Sequence, residues 1–350
     1  MINISEGFSC PLPKMDYKSV QLAHGAGGRL SAELIDKIFL PCFSNETLNR
    51  LEDQATLNVS EGRLAFTTDS FVVNPIVFPG GDIGELAVNG TVNDIAMSGA
   101  KPLYLSVGFI IEEGLEIETL HTIALSMRNA ADKAGVQIVT GDTKVVNKGA
   151  CDKLFINTSG IGAISSGVNI SAANLRPGDK IILSGTIADH GMAVMTVREG
   201  LSFRSQILSD TASLNHLVDD MLHVSKDIRA MRDPTRGGLA TTLNELAKSS
   251  KAGIHIYENE IPIREEVSSA CEILGIDPLY VANEGKLTAV VSADAAEKIL
   301  GKMKQNEFGK DARIIGEVTE EHKGMVIMQN RLGVDRVIDV SLGEQLPRIC

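Results

Sequence analysis

From Val20 onward, short apolar runs rich in β-branched residues alternate with helical patterns, and this alternation constrains the chain more than any other feature. RLAFTTD, PLYLSVGFI, VQIVTGD and KLFINTSGIGAI have the length and composition of strands, and the stretches between such runs carry apolar residues at helical spacing. The expected class is therefore α/β (α+β). The clearest helix runs from Leu115 to Ala134, where Leu120, Ile123, Ala124, Met127, Ala130, Ala131 and Ala134 share one face and Gly135 supplies the stop. His121 falls off that stripe beside Arg128 and is expected in solvent. The longest apolar stretches fall far short of the roughly 20 residues of a membrane span. No short fixed repeat is visible, which argues against solenoids and propellers.

A chain of 350 residues exceeds what one core ordinarily supports, so two domains are expected. SSGVNISAANLRPGDKIILSG passes from small and polar residues through a Pro-Gly turn into a new strand, which puts the boundary near residue 170. Residues 1–19, with two prolines and no periodicity, read as an N-terminal extension. Residues 20–170 and 171–342 read as the two domains, and 343–350 as a mobile tail.

The formal charge of −12 would repel a phosphate backbone over most of the surface, so nucleic acid is not an expected partner. Five cysteines, at positions 10, 42, 151, 271 and 350, form no CxxC pair and no disulfide framework. The N-terminus has neither a signal-peptide nor a transit-peptide pattern, so the cytoplasm is the expected location. Cys350 is the final residue given. Packing is a poor reason for a thiol there, and a chemical role is expected.

Four aspartates sit beside small residues at strand ends or helical starts: Asp69 in FTTDS, Asp94 in TVNDIAMSG, Asp142 in VTGDTK and Asp233 in MRDPTRGG. Converging in space, such a set suits magnesium, which binds through a few carboxylates together with substrate phosphates; singly, each reads as a cap or turn residue. If Asp82 caps a helix over DIGELAVNGTVNDIAMSG, its apolar stripe is Val88, Val92 and Ile95. Ala87, Gly90, Thr91, Asp94 and Ser98 then form a small, polar face, which favours a ligand role for Asp94. Two glycine clusters precede helical patterns and can cradle phosphate: Gly25, Gly27 and Gly28 in LAHGAGGRL, and Gly237 and Gly238 in RDPTRGGLATT. Lys144, two residues after Asp142, can place a cation on a phosphate.

The order HGAGG, TTDSFVVNP, FPGGDIGELAVNGTVNDIAMSGAKP, GDTKVV, RDPTRGG, ANEGKL and PRIC resembles the HypE family of hydrogenase maturation proteins, carbamoyl dehydratases of the PurM-like superfamily. The middle motifs are shared with selenophosphate synthetase and aminoimidazole ribonucleotide synthetase; the PRIC ending is specific to HypE. The resemblance implies a PurM-like two-domain fold, a homodimer paired through its N-terminal domains, and ATP with Mg2+ in a groove between the domains. It also implies that Cys350 is the carrier nucleophile. In the family this cysteine takes a carbamoyl group from HypF, ATP-dependent loss of water turns that group into a thiocyanate, and the carbon becomes cyanide on the iron of [NiFe]-hydrogenase through HypC–HypD. Asp69, Asp94, Asp142 and Asp233 become metal and nucleotide ligands by the same resemblance, and Lys144 and Glu284 the residues that handle the phosphoryl group and the amide protons. One departure is Ala26, where the family often has serine. Two alternatives stay open: a noncatalytic carrier of the group, and another PurM-like kinase or synthetase.

Overall fold

The computed structural model describes residues 17–25, 29–50, 62–201, 206–340 and 348–350. Two short helices, α1 (Arg29–Leu34) and α2 (Leu40–Phe43), flank a π-helical turn, Ile35–Phe39. Strand β1 (Arg63–Phe71) is followed by the small hairpin of β2 (Val77–Phe78) and β3 (Gly81–Asp82). Next come α3 (Ile83–Met97), β4 (Ala100–Glu112), α4 (Ile117–Ala134), β5 (Gln137–Val146) and β6 (Leu154–Ile164). The first sheet has the order β1-β6-β4-β5, with only β4 and β5 parallel.

The second half contributes β7 (Lys180–Leu183), α5 (Asp189–Arg198), α6 (Asn215–Val224), β8 (Ile228–Arg232), α7 (Gly238–Ser250) and β9 (Gly253–Tyr257). It continues with α8 (Glu265–Leu274), β10 (Thr288–Val291), α9 (Ala293–Met303), β11 (Arg313–Thr319), β12 (Val326–Gln329) and β13 (Asp335–Ile338). Its seven-stranded sheet runs β13-β12-β9-β11-β7-β10-β8. Ser19 bridges Glu116 and the Lys18 carbonyl accepts from Ile117, so the ordered chain reaches back before Val20.

The helix expected over residues 115–134 is present, and Gly135 caps it at φ +72°. His121 corrects the sequence reading, because it is 5% exposed. α3 lies on one side of α4 while α2 and the π-helical turn lie on another, so the buried arc is wider than the apolar stripe and takes in His121, Leu125 and Ser126. Burial lowers the pKa of that imidazole.

Asp82 caps α3 as its sequence implies, accepting from the Gly84 and Glu85 amides at 2.7 and 3.0 Å. Beyond the cap, every residue of α3 except Glu85 and Asp94 is buried, which makes it a helix enclosed on all sides rather than an amphipathic one. Its small-residue face is turned to the first sheet. A Cβ on Gly90 would lie 2.8 Å from the Phe71 ring, Thr91 and Thr158 share a 2.5 Å hydrogen bond, and the Thr158 hydroxyl also donates to the Ala87 carbonyl. Small side chains there serve close helix–sheet contact, which corrects the reading of that face as an approach for ligand.

Glycine substitutions in two helices should respond with opposite signs. A Cβ on Gly84 would lie 2.6 Å from the Ile123 carbonyl oxygen across the α3–α4 crossing, whereas one on Gly301 in α9 meets nothing within 4 Å. Gly84→Ala is expected to destabilise by about 1–3 kcal/mol through overpacking. Gly301→Ala is expected to stabilise by up to about 1 kcal/mol through helix propensity. Urea midpoints of the two variants against the parent check both signs.

Candidate functional site

Strand alternation in β1 turns Thr67, Asp69 and Phe71 toward α3 and leaves Leu64, Phe66, Thr68 and Ser70 on the opposite face. Asp94, in the last turn of α3, accepts a 2.8 Å hydrogen bond from the Thr67 hydroxyl. The loop after β8 brings Asp233 and Arg236 from the second domain, with the Arg236 guanidinium 3.8 Å from the Asp69 carboxylate. The loop before β10 brings Glu284, which is 3% exposed. Gly237 and Gly238, at φ +76° and +61°, turn the first of these loops into α7. A Cβ on Gly238 would lie 2.5 Å from the Leu279 carbonyl oxygen, so the neighbouring loop demands glycine there whatever else the turn holds.

Asp69, Asp94, Asp233 and Glu284 all have raised pKa values, burial being the largest cause in each. For Asp94, burial is the largest cause; the Thr67 hydrogen bond opposes it and the charge of Asp69 adds to it. Asp69 is raised by burial against its bond from the Ser70 amide and the pull of Arg236. Asp233 is pushed up to about 7 by burial and by Asp94 and Asp69. Glu284 is raised well above the usual carboxylate range by burial, Asp233, Asp210 and Asp69. Its Oε1 is buried with no hydrogen-bond partner among the described residues. Arg236 and Arg232 offset this set of crowded, partly buried carboxylates only in part, and a hard cation would supply further positive charge. Among the described residues no three His, Cys, Asp or Glu side chains stand close enough to form a ready-made metal cage. The donor set fits magnesium carried in with phosphates, which needs only one or two carboxylates from the protein.

The other expected site residues lie elsewhere. Asp142 and Lys144 are exposed on β5, the edge strand; by register Asp142 shares the open face of the sheet with Gly108, Asn157 and Ser70, away from Asp69. The four aspartates therefore do not converge within one chain. Asp142 and Lys144 instead line a 490 Å³ cavity with His24, Phe39, Phe43 and Phe109. Gly25 ends a short 3₁₀ turn, Leu22–Gly25. Gly27, Gly28 and Ala26 lie outside the described residues, as do Cys10 and residues 343–347.

Cys350 corrects the expectation of a loose end. Ile349 is 3% exposed and joins the first domain's core, with half-buried Cys350 packed beside it. Arg348 donates to the Val72 carbonyl at 3.0 Å, pairs with Asp152 and stacks over Phe155. The Cys350 carbonyl accepts from the Val72 amide at 3.1 Å, just past Asp69 along the same chain segment.

Sequence reasoning passed over several residues. Thr67 stands two positions before Asp69, so period-two alternation already places both on one face. Lys286 lies inside the ANEGKL motif; its ammonium pairs with buried Asp210 at 2.9 Å, and Asp210 also accepts from the Glu284 amide at 3.1 Å. Burial would raise Asp210, but Lys286 and its other partners outweigh that and hold its carboxyl below the usual range. His190, Arg198 and Ser209 carry no sequence signal, because what they touch is distant in the chain.

Two α/β domains meeting over a carboxylate cluster define the class. Residues 51–164 match the family described as AIR synthase related protein, N-terminal domain, and residues 176–329 match AIR synthase related protein, C-terminal domain. Within that PurM-like class, the carbamoyl dehydratase HypE of Bradyrhizobium diazoefficiens is 52% identical over 96% of this chain and 98% of its own. A crystal structure of hydrogenase maturation protein HypE in complex with ATP superimposes with a TM-score of 0.91 at 50% identity, covering 94% of this chain and 99% of that one. A HypE–HypF complex structure matches at 52% identity and a TM-score of 0.78, covering 88% and 99%. The chain belongs to the HypE family of carbamoyl dehydratases. Among the described residues no helix is long and apolar enough to cross a membrane.

The raised carboxylates make a pH dependence measurable. Between its ordinary value of 3.8 and about 7, folded Asp233 holds a proton that the unfolded chain has released. Stability conferred by that proton is lost as pH rises through this window, and Glu284 acts in the same direction. Asp233→Asn should therefore gain stability relative to the parent progressively from about pH 4 to about pH 7, the gain staying level above that, at about 1.4 kcal/mol for each pKa unit removed. Thermal unfolding without nucleotide or divalent cation reads this, and parallel pH profiles for the two chains would count against the coupled cluster.

Proposed function

We propose that the chain dehydrates, with ATP, a carbamoyl group carried on its own Cys350, leaving a thiocyanate that supplies the cyanide ligand of a [NiFe]-hydrogenase iron. The observation that carries this reading is the seam: Cys350 packs beside β1 just past Asp69, where carboxylates of both domains gather. ATP with Mg2+ would supply the phosphoryl group that turns the carbamoyl oxygen into a leaving group. Asp69, Asp94 and Asp233 are the residues to hold the cation, since their mutual repulsion is what a cation relieves. Gly25, Gly27, Gly28, Gly237 and Gly238 offer backbone amides for phosphate. Glu284, raised by burial and with one oxygen unpartnered, suits removal of the amide protons once ionised.

Asp142 and Lys144 stand at the rim of the open face of the first sheet, where Phe66 is 73% exposed and Leu64 and Ile110 are also exposed. That face suits a second copy of the chain, and pairing there gives Asp142 and Lys144 a route to the site that one chain lacks. The carbamoyl group would come from HypF, a reading supported by the HypE–HypF complex of a relative, and pass as cyanide to HypC–HypD. We place the reaction in the cytoplasm, where ATP is available.

Incubation with HypF, carbamoyl phosphate and ATP should add the mass of a carbamoyl group to the intact protein, followed by loss of one water on further turnover. Cys350→Ala should abolish both changes. Asp94→Asn should take the carbamoyl group yet lose dehydration by about a hundredfold or more, since an amide cannot replace a carboxylate's charge at a hard cation. Loss of water from the Asp94→Asn chain at the parent rate would remove Asp94 from the metal set.

A further inference from the structure

His190, the second residue of α5, is buried completely, and its ring joins two segments that lie outside regular structure. Its Nε2 lies 2.9 Å from the Ile349 carbonyl oxygen and its Nδ1 2.8 Å from the Ser209 hydroxyl, with the Phe78 ring edge-on at 5.3 Å. A carbonyl only accepts, so the hydrogen sits on Nε2. Burial lowers the imidazole pKa, against the opposing pull of Asp210 and the Ile349 carbonyl, so the ring is neutral and Nδ1 accepts the Ser209 proton. The Ser209 oxygen is fixed in turn by the Thr211 amide at 3.1 Å, and the Ser209 amide donates to the Pro79 carbonyl at 2.8 Å. One tautomer satisfies the whole chain of bonds.

Three successive carbonyls, those of Arg348, Ile349 and Cys350, each find a donor. The Asn74 amide and the Arg198 guanidinium serve the first, His190 the second and the Val72 amide the third. The two amides pair residues 72 and 74 with 350 and 348, so the terminal residues run antiparallel to the segment after β1. His190 is the donor from the second domain that holds the middle of this short pairing, and it reaches the residue adjoining Cys350.

We propose that His190 is a positioning residue for the carbamoyl chemistry: its Nε2–H, set by Ser209, fixes how deeply the Ile349–Cys350 pair seats in the seam. This rests on the reading of Cys350 as the carrier. Seating matters when the thiol's cargo must meet groups inside the site, and matters little when the thiol is loaded by a partner outside it. His190→Leu leaves the buried Ile349 carbonyl without its donor. His190→Gln keeps an amide N–H at a similar reach, and Ser209→Ala removes only the bond that sets the tautomer.

Two measurements test the assignment. The first is the rate at which iodoacetamide alkylates Cys350, read by mass spectrometry after cleavage at Glu344; it needs no carbamoyl chemistry. The second is single-turnover loss of water from carbamoyl-loaded protein with ATP and magnesium, set beside the rate of loading by HypF. His190→Leu is expected to raise alkylation and to slow dehydration by about tenfold or more while loading stays near the parent rate. His190→Gln is expected to recover most of both. Ser209→Ala should shift both in the same direction by less, and it carries the test if His190→Leu does not fold. Parental alkylation and dehydration in every folded variant would overturn the proposal, as would equal losses of loading and dehydration in Leu and Gln variants alike. A parent chain that never takes a carbamoyl group defeats the carrier reading instead, and the alkylation rates still judge His190.

Discussion

The two domains are held in one geometry by α3, a helix with almost no face left for water. Asn93 is its hinge pin: the side-chain amide donates to the Ala212 carbonyl at 3.0 Å and accepts from the Leu214 amide at 2.8 Å. Asn89, one turn earlier, donates to the Thr211 hydroxyl. A buried amide with both ends satisfied fixes orientation more sharply than apolar contact does, because rotating either partner strands a donor or an acceptor. On the opposite side of the helix, Gly90 and Thr91 sit directly on β1 and β6. The same helix that seals the seam thus presents Asp94 to Thr67 and Asp69.

The seam works against the stability of the fold. Desolvating four carboxylates, Glu284 fully and the other three in part, raises their proton affinities, as happens where like charges are gathered for a task rather than for folding. Asp210 shows the contrast. It is buried in the same region, yet Lys286 and the Glu284 amide keep its carboxyl low, so it anchors the Glu284 loop while its charge adds to the repulsion on Glu284. Asp210 has a close ammonium partner that outweighs its burial, whereas the arginines near Asp69, Asp94, Asp233 and Glu284 only partly offset theirs.

Much of this was legible in the residues. Period-two and helical spacing located most elements, and the Asp82 cap and the Gly135 stop follow from local chemistry that tertiary contacts do not disturb. The small-residue face of α3 was visible as a pattern, but whether a ligand or a strand fills such a face depends on what lies opposite, and a sequence does not state that. His121 misled for a similar reason: a helix packed on two sides has no single apolar stripe. Asp142 stood in sequence beside the other aspartates as an equal, and only strand register shows that its side chain leaves by the other face. The seating of Ile349 through main-chain carbonyls was beyond reach, since backbone acceptors are the same at every residue.

That carbonyl-based hold has a consequence for the direction of the proposed cycle. The main-chain bonds to residues 348–350, the Arg348 side-chain contacts and the burial of Ile349 involve groups that would stay unchanged if the sulfur gained or lost a substituent. Bonds of that kind would hold the empty, loaded and spent forms of the proposed reaction alike, and a contact of equal strength in every state biases none of them. On the proposed chemistry it would serve as an unselective berth, and the order in which the forms arrive and depart would be imposed by whatever occupies the carboxylate cluster beside it.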